Sequence, residues 1–362
     1  FTGASLNVVS TNSASTFESW NGGMTSAEDE GNLLGTFSTL DGTGVVPLNC
    51  TLNQKAHCVF GLISKSGWAL HNDSTTPVLD TDDFWADSSG SLYPRASQSD
   101  WYLLAHGQEY TQAILEYTWI GGHIPINPRH ISGTWWTRWY DLNNVDVSKV
   151  VDDYRSRSIP VDTYVFDMDW HKKNDWTGWT FDPHLFPFPS DTLEGLTRQG
   201  LHILANLHDA DGVSSWDTEF VAMAEAMGLD PSNLTNIPCD FHNKSYLYAL
   251  EDVVLKALID MGMTSWWIDW QQGESGYGTT GGWDNPRIIT DKLRVTDPKR
   301  QGSNQRGVVL ARWGGMGNHR YQVGFSGDVA GVTWQNMAFQ PYFTMTASHV
   351  GYGFWSHDIM GP

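Results

Sequence analysis

The stretch that decides the fold is Ser265-Trp266-Trp267-Ile268-Asp269-Trp270-Gln271-Gln272. It is a short apolar run with a single carboxylate near its end. A helix-like segment that stops at Gly262 precedes it, and the glycine-rich stretch 273–282 follows it. This pattern is typical of a buried strand in a parallel barrel, where the C-terminal end of the strand presents one acid to a cleft. The structural alternative is a core strand whose Asp caps the next loop.

Strand-like and helix-like segments alternate from residue 128 onward. The predicted strands are Ile131–Trp136, Tyr164–Met168, His202–Leu207, Ser265–Asp269, Val308–Arg312, Gln322–Phe325 and Tyr352–Trp355. The predicted helices are Val147–Arg157, Thr192–Gln199, Leu247–Met261, Pro286–Leu293 and Trp334–Ser348. This alternation predicts a parallel sheet, and the lack of a Gly-x-Gly-x-x-Gly motif argues against a dinucleotide-binding fold. We therefore predict an α/β protein with a (β/α)8 TIM barrel whose eighth strand is missing.

The segment before this alternation has a different character. Short apolar runs separated by Gly, Asn, Asp and Ser clusters predict the strands of a β-sandwich, incomplete at its start. One helix-like segment, Glu109–Tyr117, leads to the stiff sequence Ile124-Pro125-Ile126-Asn127-Pro128. The predicted domains are thus a β-sandwich over residues 1–127 and a catalytic barrel over residues 128–362.

Composition limits the kinds of ligand. The net charge of -20 over 362 residues argues against nucleic acid, and no apolar run is long enough to cross a membrane. The chain has 19 Trp, 13 Tyr and 15 Phe, and flat aromatic faces suit pockets for neutral sugar rings. No Cys/His or Glu/His pair has metal-ligand spacing, so we expect neither a metal nor a cofactor.

Two weaker signals suggest a secreted glycoprotein. Four Asn-x-Ser/Thr sequons begin at Asn49, Asn72, Asn233 and Asn243, and Cys50 and Cys58 lie close enough in sequence to form a disulfide. Sequons at this number arise nearly as often by chance in a chain rich in Asn, Ser and Thr. On the sequons and the cysteine pair alone, we expect the protein to be secreted or to lie in a secretory-pathway lumen.

Acidic residues recur where the predicted strands end, which is where barrel enzymes carry their catalytic groups. The residues at these ends are Arg138, Asp167, Asp169, His208, Asp209, Asp269, Arg312, Asp328, His357 and Asp358. Asp269 and Asp328 are 59 residues apart (328 − 269), which is close to two strand-and-helix units of a barrel. That separation predicts carboxyls roughly 5–6 Å apart, the spacing that retaining glycosidases need.

The two carboxyls also need different protonation states. Burial among Trp residues favours the neutral form of Asp269, so donors such as Arg312 must keep it ionised. Asp328 follows Phe325-Ser326-Gly327, where we expect a drier site that keeps it protonated as the acid.

At these residues the chain resembles glycoside hydrolase family 31, the α-glucosidase and α-xylosidase family, in a C-terminally truncated form. The resemblance is carried by an ordered set of motifs: Gly133-Thr134-Trp135-Trp136-Thr137-Arg138-Trp139, Asp167-Met168-Asp169-Trp170, Leu207-His208-Asp209-Ala210-Asp211-Gly212-Val213, Trp267-Ile268-Asp269, Ala311-Arg312-Trp313-Gly314-Gly315, Gly324-Phe325-Ser326-Gly327-Asp328 and Trp355-Ser356-His357-Asp358-Ile359. One departure from the family pattern is Gln271-Gln272, where members often have Asn-Glu.

The resemblance implies a retaining, exo-acting glycoside hydrolase that releases terminal α-linked glucose from oligosaccharides. It implies Asp269 as nucleophile and Asp328 as general acid/base. The implied substrate-binding residues are Asp167, Arg312, Trp267, Trp270, Phe325 and Asp358, and we add His208 as a neighbour of the site.

Two other functions stay open. An α-glucosyltransferase or α-xylosidase would use the same residues, because transfer differs from hydrolysis only in the acceptor and xylose lacks one hydroxymethyl group of glucose. A non-catalytic sugar-binding fragment belongs to a different class. The Asp cluster could alternatively hold a metal ion, an interpretation that we rank below catalysis.

Overall fold

The structure is a computed structural model that describes residues 5–8, 18–21, 29–36, 58–73, 100–172, 176–241, 243–269, 287–296, 306–312, 315–328 and 333–358. The chain divides into two compact units. The first unit comprises Phe1–Thr75, Ala96–Pro125 and Arg312–Pro362, and the second comprises Thr76–Arg95 and Ile126–Ala311. The predicted domain boundary between residues 127 and 128 remains a prediction.

The strands are short, and most lie where the sequence pattern predicts them. In chain order they are β1 (Ser5–Val8), β2 (Glu18–Asn21), β3 (Gly35–Thr36), β4 (Cys58–Val59), β5 (Trp68–Asn72), β6 (Trp101–Ala105), β7 (Trp135–Trp136), β8 (Thr163–Phe166), β9 (His202–Leu207), β10 (Val213–Ser214), β11 (Asn236–Ile237), β12 (Ser265–Ile268), β13 (Val309–Ala311), β14 (Val323–Phe325) and β15 (Trp355–Ser356).

The helices alternate with the strands from β7 onward. They are α1 (Tyr110–Gly121), α2 (Asn144–Ser156), α3 (Pro189–Arg198), α4 (Phe220–Ala226), α5 (Lys244–Ala249), α6 (Lys256–Met261), α7 (Arg287–Thr296) and α8 (Trp334–Ser348). A π-helical segment, Leu250–Leu255, joins α5 to α6. Short 3-10 turns occur at Arg129–Ser132, Met168–Trp170, Pro231–Asn233 and Asn318–Arg320. Helix α4 and the β10–β11 pair were not predicted.

Parallel pairing organises the strands of the second unit. Strand β8 pairs with β7 and β9, and β12 pairs with β9 and β13, all in parallel. Within the first unit, β14 pairs in parallel with β15. All seven predicted barrel strands are therefore present, and no eighth is found among the residues that the structure describes. These pairings agree with part of a (β/α)8 barrel.

The start of the first predicted barrel strand was placed too early in the chain. Residues 131 and 132 belong to the 3-10 turn Arg129–Ser132, and β7 consists of Trp135 and Trp136 alone. The turn is held by the backbone N–H of Gly133, which donates to the carbonyl of His130. In the sequence, an apolar residue in such a turn resembles a strand residue. The two differ in their backbone hydrogen bonds, which the residue type does not reveal.

Local sequence explains where the helices start and stop. Helix α2 begins three residues earlier than predicted because Asn143 caps it: its side chain accepts from the backbone N–H groups of Val145 and Asp146, while the Asp146 carboxylate accepts from the N–H of Asn143. The long helical run of α5, the π segment and α6 ends at Gly262, whose φ of 122° is readily available to glycine.

The core of the second unit lies between the parallel strands and their helices. Strands β8 and β12 are buried at every position, as expected for strands covered on both faces. Fully or almost fully buried side chains of this core include Tyr164, Trp170, Leu193, Ile203, Leu204, Phe241 and Tyr246. Burying each large apolar side chain stabilises the fold by about 1.5–3 kcal/mol.

The described part of residues 1–127 consists of antiparallel pairs. Strand β1 pairs with β2, β3 with β4, and β5 with β6. Leu62, Ile63 and Leu104 form a small core with Ala113 and Tyr117 of helix α1. Two facing sheets are not seen in the described residues, so the β-sandwich remains a prediction. Cys50 lies outside the described residues, as does sequon Asn49.

Candidate active site

Asp269 stands directly after strand β12, at its C-terminal end. Its backbone N–H donates to the carbonyl of Leu207 over 3.1 Å, which fixes it beside the end of β9. Ile268 pairs with Leu207 on one side and with Ala311 on the other, so the residue lies between two neighbouring strands. Only 5% of the surface of Asp269 is exposed. The predicted placement of this carboxylate at a buried strand end is therefore observed.

One amide donates to both carboxylates of this region. Nδ2 of Asn206 lies 2.6 Å from Oδ2 of Asp269 and 3.0 Å from Oδ1 of Asp167. Asp167 follows strand β8 and also accepts from the backbone N–H of Met168 over 2.7 Å. Because Phe166 pairs with Ala205, Asp167 and Asn206 are at the same level in adjacent strands. Asp167 is therefore connected to Asp269 through the amide of Asn206.

Asn206 was not predicted, although the sequence contains a signal for it. Strand β9 has the sequence His-Ile-Leu-Ala-Asn-Leu, in which Asn206 is the one polar residue after His202, among four apolar or small neighbours. It lies two positions before His208, so both side chains leave the same face of the sheet. A polar residue two positions before a residue at the strand end marks a side chain that also faces the site.

His208 lies beside the same carboxylate. Its Nε2 is 3.9 Å from Oδ2 of Asp269, and its side chain is 3% exposed. The indole ring of Trp176 lies against the imidazole, with 5.7 Å between ring centroids, and is itself 47% exposed. The structure thus places His208 next to the proposed nucleophile, and its role in substrate binding remains a prediction. Trp176 was not predicted.

Behind His208 lies a fully buried group of charges. The Arg294 guanidinium donates to Asp209 over 3.3 Å from Nη2 and to Glu251 over 2.9 Å from Nε, and all three side chains are at most 1% exposed. Burial alone lowers the pKa of Arg294, but the neighbouring Asp209 and Glu251 carboxylates outweigh it and raise that pKa above its ordinary value. Asp209 therefore belongs to a buried ion-pair group, although it stands at a strand end.

The remaining predicted residue of the second unit is Trp267 in β12. It is 7% exposed and pairs in register with Asn206 and Leu310, so it stands one strand away from the amide. Trp270, Gln271 and Gln272 lie outside the described residues, and so does the loop that follows. The predicted role of Trp270 in substrate binding and the departure from the family pattern therefore remain open.

The other predicted catalytic carboxylate belongs to the first unit. Asp328 comes three residues after strand β14, and its Oδ1 accepts from Nη2 of Arg312 over 2.9 Å. The Arg312 side chain is 2% exposed, whereas that of Asp328 is 60% exposed. The guanidinium also lies over the Phe325 ring, 5.5 Å from its centroid. Arg312, Phe325 and Asp328 thus form one group.

The prediction that Asp328 has a solvent-excluded environment is wrong. We expected a dry site, and the structure exposes most of this side chain to solvent. The reason is the preceding Gly327, whose φ of +73° turns the chain at the end of β14. A sequence pattern predicts that a residue follows a strand, but it does not predict the direction of the side chain after such a turn. Arg312, expected as a donor for Asp269, forms its described ion pair with Asp328.

Asp358 follows strand β15 in the same unit. Its backbone N–H donates to Oγ of Ser326 over 2.9 Å, which fixes it beside the end of β14. The neighbouring His357 contacts Oε1 of Gln340 and Oγ1 of Thr344 through its two ring nitrogens, and burial lowers its pKa.

The described residues contain no cluster of three or more His, Cys, Asp or Glu side chains that could hold a metal ion. No helix in that part of the chain is long and apolar enough to span a bilayer.

Comparison with known proteins identifies the family of this chain. Residues 124–361 match the sequence model of the glycosyl hydrolases family 31 TIM-barrel domain. The chain belongs to glycoside hydrolase family 31. This confirms the resemblance seen in the motifs and places Asp269 and Asp328 in the barrel domain of a family whose members are glycoside hydrolases.

Individual family 31 relatives are distant. An α-xylosidase of Saccharolobus solfataricus is 24% identical over 277 residues, which are 72% of this chain and 37% of the relative. A 1,6-α-glucosyltransferase of Sporosarcina globispora is 27% identical over 135 residues, which are 37% of this chain and 10% of the relative. The solved structure of a xylosidase from Aspergillus niger superposes with a TM-score of 0.63 at 19% identity, covering 84% of this chain and 48% of that one. This chain therefore spans about a third to a half of the α-xylosidases that it matches.

Proposed function

We propose that this chain supplies the catalytic barrel of a retaining, exo-acting α-glycosidase, with Asp269 as nucleophile and Asp328 as general acid/base. The observation that carries the proposal is the state of Asp269 in a family 31 barrel: a buried carboxylate at the end of β12 that accepts a 2.6 Å hydrogen bond from Asn206. A donor at one carboxylate oxygen holds Asp269 in a fixed position, from which its other oxygen can attack the anomeric carbon.

The reaction has two steps with a covalent intermediate between them. An oxygen of Asp269 forms a bond to the anomeric carbon while the bond from that carbon to the leaving oxygen breaks. The electron pair stays on the leaving oxygen, which takes a proton from Asp328. Water then gives a proton to Asp328 and adds to the anomeric carbon, which releases Asp269 as a carboxylate. The predicted carboxyl separation of roughly 5–6 Å suits this course and remains a prediction.

Exposure of Asp328 supports the second half of this cycle. An acid/base must exchange protons with the leaving group and with water, and a side chain that is 60% exposed is accessible to both. The Arg312 ion pair holds Asp328 in one place, and the remaining predicted contacts to the sugar come from Asp167, Trp267, Phe325 and Asp358.

The sugar at the scissile bond has two candidates. The sequence motifs alone led us to expect glucose. Several curated relatives are α-xylosidases, from an archaeon, a Lactiplantibacillus species and two fungi, each 21–24% identical to this chain over 277–292 residues. Because these four matches are each about twice as long as the 135-residue match to the 1,6-α-glucosyltransferase, we propose terminal α-linked xylose as the first candidate and α-linked glucose as the second.

Transfer to a sugar acceptor is the further variant of the same chemistry. The 1,6-α-glucosyltransferase relative supports it, but over 37% of this chain only. Hydrolysis and transfer share the first step and differ in whether water or a sugar hydroxyl takes the glycosyl group.

One pair of measurements tests these proposals. Nitrophenyl α-xyloside and nitrophenyl α-glucoside are compared as substrates of the longest natural form of the chain, and products are examined for longer oligosaccharides. In parallel, a fluoroglycoside of the preferred sugar traps the intermediate, and peptide mapping locates the label. We expect release of xylose ahead of glucose and a label on Asp269. Preferential cleavage of the glucoside would reverse the order of the two sugars, and a label on another residue would refute the nucleophile.

The proposed site of action is a secretory-pathway lumen or the cell exterior, as the sequons suggest. Asn233 and Asn243 are both exposed in the structure. Mass spectrometry of the natural protein for glycans at these two positions is the corresponding test.

A further inference from the structure

We propose that Asn206 is a positioning residue that couples the nucleophile Asp269 to the sugar-binding Asp167. The inference rests on the proposed function, because it assigns Asn206 a role toward the two carboxylates named there. Its basis is a single nitrogen atom, Nδ2 of Asn206, that lies within hydrogen-bond distance of both carboxylates.

The orientation of the amide follows from its partners. Ionised carboxylates only accept hydrogen bonds, so only the NH2 group of Asn206 can face both Asp167 and Asp269. An amide turned the other way would bring three acceptor oxygens together. Nδ2 carries two hydrogens, which is the number that two carboxylates require. The donor is thus fully used by these two contacts.

This placement has a cost that packing does not explain. Oδ1 of Asn206 is buried and has no hydrogen-bond partner among the described residues, and the residue is 1% exposed. A buried acceptor without a partner costs about 1–3 kcal/mol. Asn is also disfavoured in the interior of a strand with parallel neighbours on both sides. A residue that weakens the fold at the end of such a strand is expected where function requires it.

The chemistry explains what the amide contributes. When the glycosyl-enzyme forms, one oxygen of Asp269 becomes the ester oxygen and the other becomes the ester carbonyl. The hydrogen bond at Oδ2 assigns Oδ2 to the carbonyl and turns Oδ1 toward the anomeric carbon. The same bond stabilises the negative charge that returns to the carboxylate when the ester is cleaved.

The coupling arises because Asp167 shares the nitrogen. A sugar hydroxyl that donates to Asp167 weakens the hydrogen bond between Asn206 and Asp167. The amide then aligns on Asp269. Occupation of the sugar site and orientation of the nucleophile are therefore linked. His208 is a titratable side chain beside Asp269 in the described residues, and its Nε2 is 3.9 Å from Oδ2 of Asp269, beyond hydrogen-bond distance.

A double-mutant cycle on the natural protein tests the coupling. The variants are Asn206→Leu, which keeps the approximate volume and removes the donor, Asp167→Asn, and both together. The measured quantity is the rate of glycosyl-enzyme formation with a fluoroglycoside, and melting curves check that each variant is folded. Thr163→Val is the matched control, since it removes a buried polar group at the opposite end of strand β8.

We expect Asn206→Leu alone to slow labelling of Asp269 by about 100-fold. In the Asp167→Asn background the same change should cost threefold or less, and Thr163→Val should label at the wild-type rate. Equal fold losses in both backgrounds would overturn the coupling, as would wild-type labelling by folded Asn206→Leu. If Thr163→Val lost as much as Asn206→Leu, the effect would be structural and the inference would fail. Absence of any label on Asp269 in the wild-type protein would instead refute the proposed function itself.

Discussion

Two carboxylates at strand ends have been placed in opposite environments. Asp269 is 5% exposed and is held by an uncharged amide, with a further carboxylate on the same nitrogen. Asp328 is mostly exposed and is held by a buried Arg312 through one ion pair. A nucleophile gains from a fixed, desolvated position, while an acid/base gains from contact with water and the leaving group. The contrast therefore agrees with the two roles proposed for these carboxylates.

The strongest test of the contrast removes the buried carboxylate. Asp269→Ala should lower the hydrolysis rate of every α-glycoside by at least about 10⁴-fold, because it removes the carboxylate proposed to form the covalent intermediate. The test is steady-state hydrolysis of nitrophenyl glycosides. Substantial residual activity that contaminating enzyme does not explain would contradict a nucleophilic role.

The exposed carboxylate should respond differently. Asp328→Ala should lower hydrolysis of an unactivated disaccharide by about 10²–10⁴-fold, since that leaving group needs a proton. With a dinitrophenyl leaving group, which departs without protonation, formation of the intermediate should be nearly unaffected. Added azide should then restore turnover and give a glycosyl azide of retained configuration. Equal losses on both substrates would remove the distinction between the two carboxylates.

A second buried group allows the same contrast to be drawn for stability. Arg294→Met leaves Asp209 and Glu251 buried without their cation and should reduce the free energy of unfolding of its unit by about 3–5 kcal/mol. Arg198→Met removes an exposed ion pair with Glu194 and should cost less than about 1 kcal/mol. Denaturant unfolding of both variants gives the comparison, and similar losses would mean that the buried group contributes little.

The smallest expected effect concerns pH. The rings of His130 and His202 stack with 3.6 Å between centroids, next to Asp162. Burial, and then the neighbouring His202, lowers the pKa of His130 to about 4. The unfolded chain therefore binds protons below about pH 6.5 that the folded chain does not bind, and stability falls as the pH drops from 6.5 toward 4.

Replacing His130 by Gln should remove about 1 kcal/mol of this loss between pH 7 and pH 5, a small value because the pair is only partly buried and water screens it. Melting temperatures of both proteins at the two pH values measure it. Parallel curves for wild type and variant would show that this pair does not titrate as the lowered pKa requires.

Several parts of the fold and site could be predicted because they depend on short-range pattern. The apolar run ending in Asp269 and the run before Asp328 both predict strand ends, and the helix stop at Gly262 follows from the conformational freedom of glycine. The order of strands and helices predicts parallel pairing, which brings strand ends to one edge. For this reason the sequence could place both Asp167 and Asp269 at strand ends.

Other parts depended on contacts between distant residues. Asn206 joins Asp167, 39 residues away, to Asp269, 63 residues away, and Arg294 reaches Asp209 across 85 residues. Nothing local marks Arg294 as a partner of Asp209, because a charged residue on a helix is usually solvated. Arg312 likewise reaches Asp328 across 16 residues.

What the sequence determined by itself is the family, the strand order and the two carboxylates at strand ends, because hydrophobic period and turn residues act over a few positions. What only the tertiary structure decided is which donor each carboxylate receives and how much water it meets. Hydrogen bonding and desolvation depend on atoms that come together after the chain has folded, and those atoms are dispersed along the sequence.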